Sequence, residues 1–230
     1  KYDVFIPGRN LVIEMQGLHW HSNDLSKTRD AKKRQEALKS GLHHMAVFED
    51  EWVKKRHVIE SVLRSRLGVS SPSVSLRPSR CRVEPVSVAR ADALYEAHHY
   101  IGASRSKVNL GIVHDGNLIG CVSFGRPTRK SSHDWELTRM VMDPAFRVHG
   151  AWSSALKTFV SGYSPSSIVS FSDNRLFLGA VYERIGFMKD GDVPPDYYWV
   201  KGGRRMHKSG LRKPKGCTIT ETELRESEGY

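Results

Sequence analysis

What this chain lacks narrows its class. No apolar run approaches the roughly 18 residues that a membrane-spanning helix needs. No secretory leader pattern is visible either, and the sequence opens on Lys1 without a Met, so an upstream segment is expected. Cysteine is scarce: Cys81, Cys121 and Cys217 stand far apart, without Cys-x-x-Cys spacing. That argues against a disulfide framework or a cysteine zinc site and fits a reducing cytoplasm. The 11 His follow no HExxH or paired Cys/His pattern, so structural zinc is not expected. Acid is in deficit, with 25 Asp+Glu against 36 Lys+Arg and a formal charge of +11. Clustered positive charge binds polyphosphate by releasing counterions, which points to duplex DNA as partner. At 230 residues, 39% of them hydrophobic, the chain can fill the cores of one or two domains.

The most informative residues lie near the amino terminus. Asp3 sits in an apolar run, Tyr2 to Pro7, and a second run follows as Leu11-Val12-Ile13-Glu14-Met15-Gln16-Gly17. These read as neighbouring strands. Glu14 and Gln16 are two apart and project from one strand face. Carboxylates converging at a sheet edge suit a hard cation such as Mg²⁺, which takes oxygen ligands and keeps waters for substrate phosphates. Leu18-His19-Trp20-His21 comes next, then Asp30. A His beside an Asp supplies an oriented acid or base, and the alternation leaves His19 or His21 for that role. The set Asp3, Glu14, Gln16, His21 and Asp30 is the equipment of a metal-dependent phosphodiesterase.

Ser26 to Lys39 reads as a helix closed by Gly41, with Ala31, Gln35, Leu38 and Leu42 as its apolar face. Its other face carries Lys27, Arg29, Lys32, Lys33 and Arg34, of which Lys32, Lys33 and Arg34 are expected on phosphates. His43 to Phe48 reads as a strand. The run Glu49-Asp50-Glu51-Trp52 follows, with its acids expected to be structural. A second helix has Trp52, Ile59, Val62, Leu63 and Leu67 on its apolar side and ends at Gly68.

Residues 1 to about 67 resemble the very-short-patch-repair endonucleases and their phage homing relatives, a branch of the PD-(D/E)xK nuclease superfamily. The likeness rests on the strand Asp3, the Val-Ile-x-x-x-Gly run at 12–17, Trp20-His21, the spacing of Asp30 and Gly41, and Phe-Glu-Asp-Glu-Trp at 48–52. It implies that Asp3 binds Mg²⁺, with Glu14 as second ligand, that His21 is the general base, and that Asp30 orients it. Gln16 stands where the wider superfamily has a Lys, so water activation falls to His21. Trp20 is expected as a core residue or a wedge between base pairs, and His19 as a phosphate contact. Relatives carry a further acidic residue on a helix preceding the Asp strand.

Residues 69–80, rich in Ser and Pro, read as a linker between a domain at 1–68 and another at 81–202. The second domain alternates short strands and helices. Arg82 to Val86 is a strand and Ser87 to His99 a helix. Val108 to His114 and Leu118 to Phe124 form a hairpin over Asp115-Gly116-Asn117. Trp135 to Asp143 is a strand, Trp152 to Val160 a helix, Ile168 to Ser172 a strand, Leu178 to Ile185 a helix, and Tyr197 to Val200 a closing strand.

This half resembles the GNAT acyltransferase superfamily through the hairpin, the turn Arg147-x-x-Gly150-Ala151 opening a helix, and Tyr182-Glu-Arg-Ile-Gly186-Phe187. Within that superfamily it is similar to the Mom-like phage proteins that modify adenine in DNA, through Glu136-Leu-Thr-Arg139, Ser172-Asp173 and Gly179-x-x-Tyr182. The resemblance implies acyl-coenzyme A at Arg147, Gly150 and Ala151, where backbone N–H groups meet a pyrophosphate, with Arg139, Asp173 and Tyr182 as the groups for chemistry. His149 and Trp152 crowd that turn. A GNAT-shaped domain reused to position DNA is the expected role, with Arg126, Arg129 and Lys130 in a loop that reaches a backbone.

Residues 203–230 read as a basic tail and terminal helix. Arg204, Arg205, Lys208, Arg212 and Lys213 are expected to track phosphates. Thr220 caps Glu221 to Glu228, and Gly229-Tyr230 looks like the entry to a further strand. The expected architecture is α/β: a PD-(D/E)xK-type nuclease core followed by a GNAT-like α+β domain. The expected function is Mg²⁺-dependent DNA cleavage of phage homing type. The alternatives are a base-modifying acyltransferase and a non-catalytic DNA-binding protein.

Overall fold

The computed structural model describes residues 1–18, 24–69, 71–129, 131–194, 198–207 and 211–229, with side chains between 24 and 27 excepted. The architecture is mixed α/β, and two compact units divide the chain: 1–56 with 189–230, and 57–188.

The first unit is built on a three-stranded sheet ordered β1-β2-β3, from β1 (Val4–Ile6), β2 (Leu11–Gln16) and β3 (His43–Phe48). A turn through Pro7–Arg9 folds β1 antiparallel onto β2, with Asn10 in the left-handed conformation at its end (φ 47°). The helix α1 (Asp24–Lys39) then crosses over, so that β3 runs parallel to β2. Gly41, at φ +71°, ends the crossover in the conformation that a residue with a Cβ rarely adopts. Leu11, Val12, Ile13, Met45, Ala46 and Val47 are buried, so β2 and β3 read as near-continuous apolar runs, as parallel strands covered on both faces do. Glu14 and Gln16 interrupt that run and are nevertheless buried. The strand ends in α2 (Glu49–Lys54).

The second unit opens with α3 (Arg56–Leu67) and β4 (Val74–Leu76). A five-stranded sheet follows, built from β5 (Arg82–Pro85), β6 (Val108–His114), β7 (Asn117–Gly125), β8 (Trp135–Met142) and β10 (Ile168–Ser170). Its order is β10-β8-β7-β6-β5, antiparallel at every step but the one where β10 lies parallel to β8. Asp115 (φ 47°) and Gly116 (φ 79°) make the tight β6–β7 turn. Between β8 and β10 come β9 (Phe146–Val148) and the crossover helix α5 (Ala151–Tyr163). On one face α5 packs Phe159 flat against Phe124, with centroids 3.7 Å apart, over Val108, Leu110, Val122 and Leu137. On the other, α4 (Val88–His98) sets Ala91, Leu94 and Tyr95 on Cys121 and Val141. The short α6 (Ala180–Arg184) follows β10.

The Ser/Pro-rich stretch expected as a linker contains β4, which pairs in parallel with β9. The expected basic tail also carries regular structure. The strands β11 (Tyr198–Lys201) and β12 (Arg204–His207) form a ribbon over Gly202 and Gly203, and α7 (Glu221–Ser227) follows. Thr220 caps α7 with a reciprocal pair of hydrogen bonds to Glu223.

Candidate functional site

One face of the first unit's sheet carries buried Glu14 and Gln16 beside His44. Val12, Glu14 and Gln16 share a face of β2, and His44 and Ala46 lie beside Val12 and Glu14 on β3. The β1–β2 register pairs Val4 with Ile13, so Asp3 comes opposite Glu14 one step further along. The Asp3 carboxylate accepts the Met15 backbone N–H at 2.9 Å, which fixes it against the middle of Glu14-Met15-Gln16. Two of the expected metal ligands are thereby neighbours across adjacent strands.

Glu14 is the unusual residue: its carboxylate is almost fully buried, and an unneutralised carboxylate there would cost several kcal/mol. Lys33 answers that charge, with its Nζ 3.1 and 3.0 Å from the two carboxylate oxygens. The helix α1 is turned accordingly. Asp30, Lys33, Arg34 and Ala37 are its half-buried or buried positions, whereas Ala31, Gln35 and Leu38, expected as the apolar face, are exposed. Lys33, expected on DNA phosphate, is instead bound to Glu14. Lys32 remains outward, 4.0 Å from Glu36.

Asp30 lies 3.9 Å from Arg29 and its charge reaches His44. Burial, then the nearby Arg34 and Lys33 cations, push the His44 imidazole below its ordinary pKa, and only Asp30 opposes them. Among the described residues the His44 Nδ1 is buried without a hydrogen-bond partner. The sequence marks His44 only as part of the strand from His43 to Phe48; its place beside Val12 follows from the pairing of β2 with β3. The expected base His21, with His19 and Trp20, lies outside the described residues, as do Lys130 and Lys208.

Two hard oxygen donors, Asp3 and Glu14, fit Mg²⁺ in kind. Among the described residues no group of three or more His, Cys, Asp or Glu gathers as a metal-binding cluster. Glu49 and Glu51 are structural: Glu49 accepts the Leu18 N–H at 3.2 Å and Glu51 the Phe48 N–H at 3.1 Å.

Arg205, expected on DNA, is an internal anchor. Its guanidinium meets Asp50 at 2.8 Å and Glu51 at 2.9 Å and lies 3.8 Å over the Phe48 ring. Arg204 and Arg212 are exposed, while Lys213 donates to the Ile219 carbonyl at 3.0 Å.

The second unit holds another polar cluster. Arg139 on β8 donates to the carbonyls of Gly102 (3.0 Å) and Thr138 (2.7 Å). Burial lowers its pKa, against the charges of Tyr100, Tyr95, Glu136 and Tyr182. Burial raises Tyr182, while the Ser170 hydrogen bond and Arg139 oppose that. Asp173 faces Tyr100 and Arg175, at 3.1 Å each. Glu136 accepts from the Thr128 hydroxyl at 2.8 Å and so holds the loop that carries exposed Arg126. Arg129 lies 5.3 Å over Phe171.

A family model described as the Mom protein family matches residues 80–228. The chain belongs to the Mom protein family. A search of curated proteins found no match. The expected pyrophosphate turn of this Mom-family region is partly covered. Gly150 opens α5 at φ 72°, with Ala151 buried behind it and Arg147 on β9, but the His149 N–H donates to Leu76 of β4 at 3.3 Å. Pro78 stands 3.6 Å from where a Cβ on Gly150 would be.

Proposed function

We propose that this Mom-family chain is a Mg²⁺-dependent DNA endonuclease of the phage homing type. In this reading the first unit is a PD-(D/E)xK-type core that cuts, and the second, GNAT-shaped unit positions duplex DNA. One observation carries the reading: Asp3 is held across from buried Glu14 on a sheet whose hairpin, crossover helix and parallel strand follow the order expected of that nuclease core. A buried carboxylate whose desolvation must be offset by Lys33 supports a chemical role for Glu14 over a purely stabilising one.

Asp3 and Glu14 would hold the ion. A bound Mg²⁺ supplies a Lewis acid that polarises the phosphate and stabilises the leaving oxygen. His21, oriented by Asp30, takes the proton of the attacking water. Lys32, Arg34, Arg126, Arg204 and Arg212 hold backbone phosphates, which fix register without reading sequence.

The test is conversion of supercoiled plasmid to open circle or linear DNA. The intact chain cuts with Mg²⁺ and stops with EDTA, and His21→Ala loses cutting while retaining DNA binding. Cutting that survives His21→Ala overturns the base assignment; no cutting in any divalent ion overturns the reading.

A second reading, acyl transfer to a DNA base, is favoured by the family match and by Arg139 lying within the field of Tyr182 and Glu136. The β4 contacts at the α5 turn oppose it, since they take a donor that a pyrophosphate would need. Stabilisation of the chain by acetyl-coenzyme A in a thermal shift would favour this second reading.

A further inference from the structure

We infer that Lys33 is the resident cation of the Glu14 site: a positioning residue that occupies the carboxylate which a divalent ion would otherwise take. The inference rests on the endonuclease reading for its chemistry, and its test separates the two.

Both oxygens of Glu14 lie within 3.1 Å of the Lys33 Nζ. The Glu14 side chain is 3% exposed and that of Lys33 27%, so the lysine is the more solvent-accessible member of the pair. The helix α1 turns Asp30, Lys33 and Arg34 inward beside Ala37, which makes this contact, and leaves Leu38 half in water. That orientation gives up apolar burial, and the pairing of Glu14 is what it gains. The neighbouring strand position supplies no cation, because Gln16 is a neutral amide on the same face.

An ammonium is a compact charge on a flexible four-carbon stem, so it can leave a carboxylate without disturbing its helix. A hard divalent ion and this ammonium compete for the same two oxygens. Lys33 therefore sets the divalent concentration at which the site loads. Once displaced, its charge remains beside the centre, where negative charge builds on a phosphate under attack. A lysine that contacts only DNA backbone would do neither.

The experiment measures Mn²⁺ binding to the full chain by electron paramagnetic resonance, together with plasmid cutting and the salt dependence of duplex binding. Lys33→Met should bind Mn²⁺ about tenfold more tightly than the natural chain, because the buried carboxylate has lost its partner. Adding Glu14→Gln should remove that gain. Cutting by Lys33→Met should fall about a hundredfold even at saturating Mn²⁺, with the slope of log affinity against log salt unchanged.

Should Lys33→Met leave a poorly folded chain, Lys33→Arg keeps the charge and can hold both oxygens, so its Mn²⁺ affinity should equal or fall below the natural value. Equal Mn²⁺ affinity in the natural chain and Lys33→Met overturns the inference, as does a salt slope reduced by about one. If the natural chain cuts nothing in any divalent ion while Lys33→Met still gains Mn²⁺ affinity, the endonuclease reading fails and the Lys33 assignment stands. If the natural chain cuts and Lys33→Met leaves Mn²⁺ affinity unchanged, the Lys33 assignment fails and the endonuclease reading stands.

Discussion

The two sheets satisfy buried charge in different ways. The five-stranded sheet packs Phe124 and Phe159 over an aliphatic layer on one face, and its buried polar groups are met by neutral partners: Tyr95, Ser123 and Asn109 form one chain, Arg139 donates to two backbone carbonyls, and the buried Glu136 carboxylate accepts from Thr128. The three-stranded sheet buries a carboxylate and satisfies it with an ammonium from the covering helix. The first arrangement is stable for ordinary reasons of burial and packing. A buried ion pair is weak evidence for stability, since apolar residues of similar volume often do as well or better. On the endonuclease reading, its presence on a short sheet that also carries Asp3 is where stability gave way to chemistry.

The largest expected effect tests the apolar half of that contrast. Phe159→Ala should destabilise the second unit by about 3–5 kcal/mol in urea unfolding, through lost transfer energy and a cavity beneath Phe124. Next, Arg205→Ala should cost on the order of 3 kcal/mol, because it leaves Asp50 and Glu51 buried without their shared cation. A loss confined to DNA affinity, with stability intact, would return Arg205 to the DNA surface. The charged half is sharpened by the pair substitution Glu14→Met with Lys33→Met. That variant should be as stable as the natural chain or more so, by about 1–2 kcal/mol, while cutting no DNA.

Acid should act through His44. Its imidazole stays neutral in the folded chain below its ordinary pKa of 6.5, whereas the unfolded chain takes up a proton there. The contribution is present above about pH 6.5 and is lost as pH falls toward the lower folded value. His44→Leu should flatten that part of a stability–pH profile. The smallest effect belongs to Arg204→Ala: unchanged stability, slightly weaker binding to every duplex, and a salt slope reduced by about one.

Much of the element order was legible in the sequence. The β6–β7 hairpin follows from Asp115-Gly116, the strand at 43–48 from its apolar run, and the helix from Ala151 from the turn before it, because each is a local signal. The opposition of Asp3 and Glu14 was also within reach, since two short strands joined by a turn leave few registers. The facing of α1 was not. Periodicity assigns apolar residues inward, and nothing local says that a helix will set Lys33 on a buried glutamate. β4 was missed because the partner of Val74–Leu76 lies some seventy residues away in β9. The Arg205 ion pairs were not legible for a related reason: within a run of cations, a single anchor looks like its neighbours until Asp50 and Glu51 stand beside it.

The most direct test of the central claim compares Mg²⁺-dependent plasmid cutting by Glu14→Gln and by Tyr182→Phe. The first should lose cutting by about a hundredfold or more, and the second should cut at the natural rate. Undiminished cutting by Glu14→Gln, or its loss in Tyr182→Phe, would contradict a cleavage centre in the first unit.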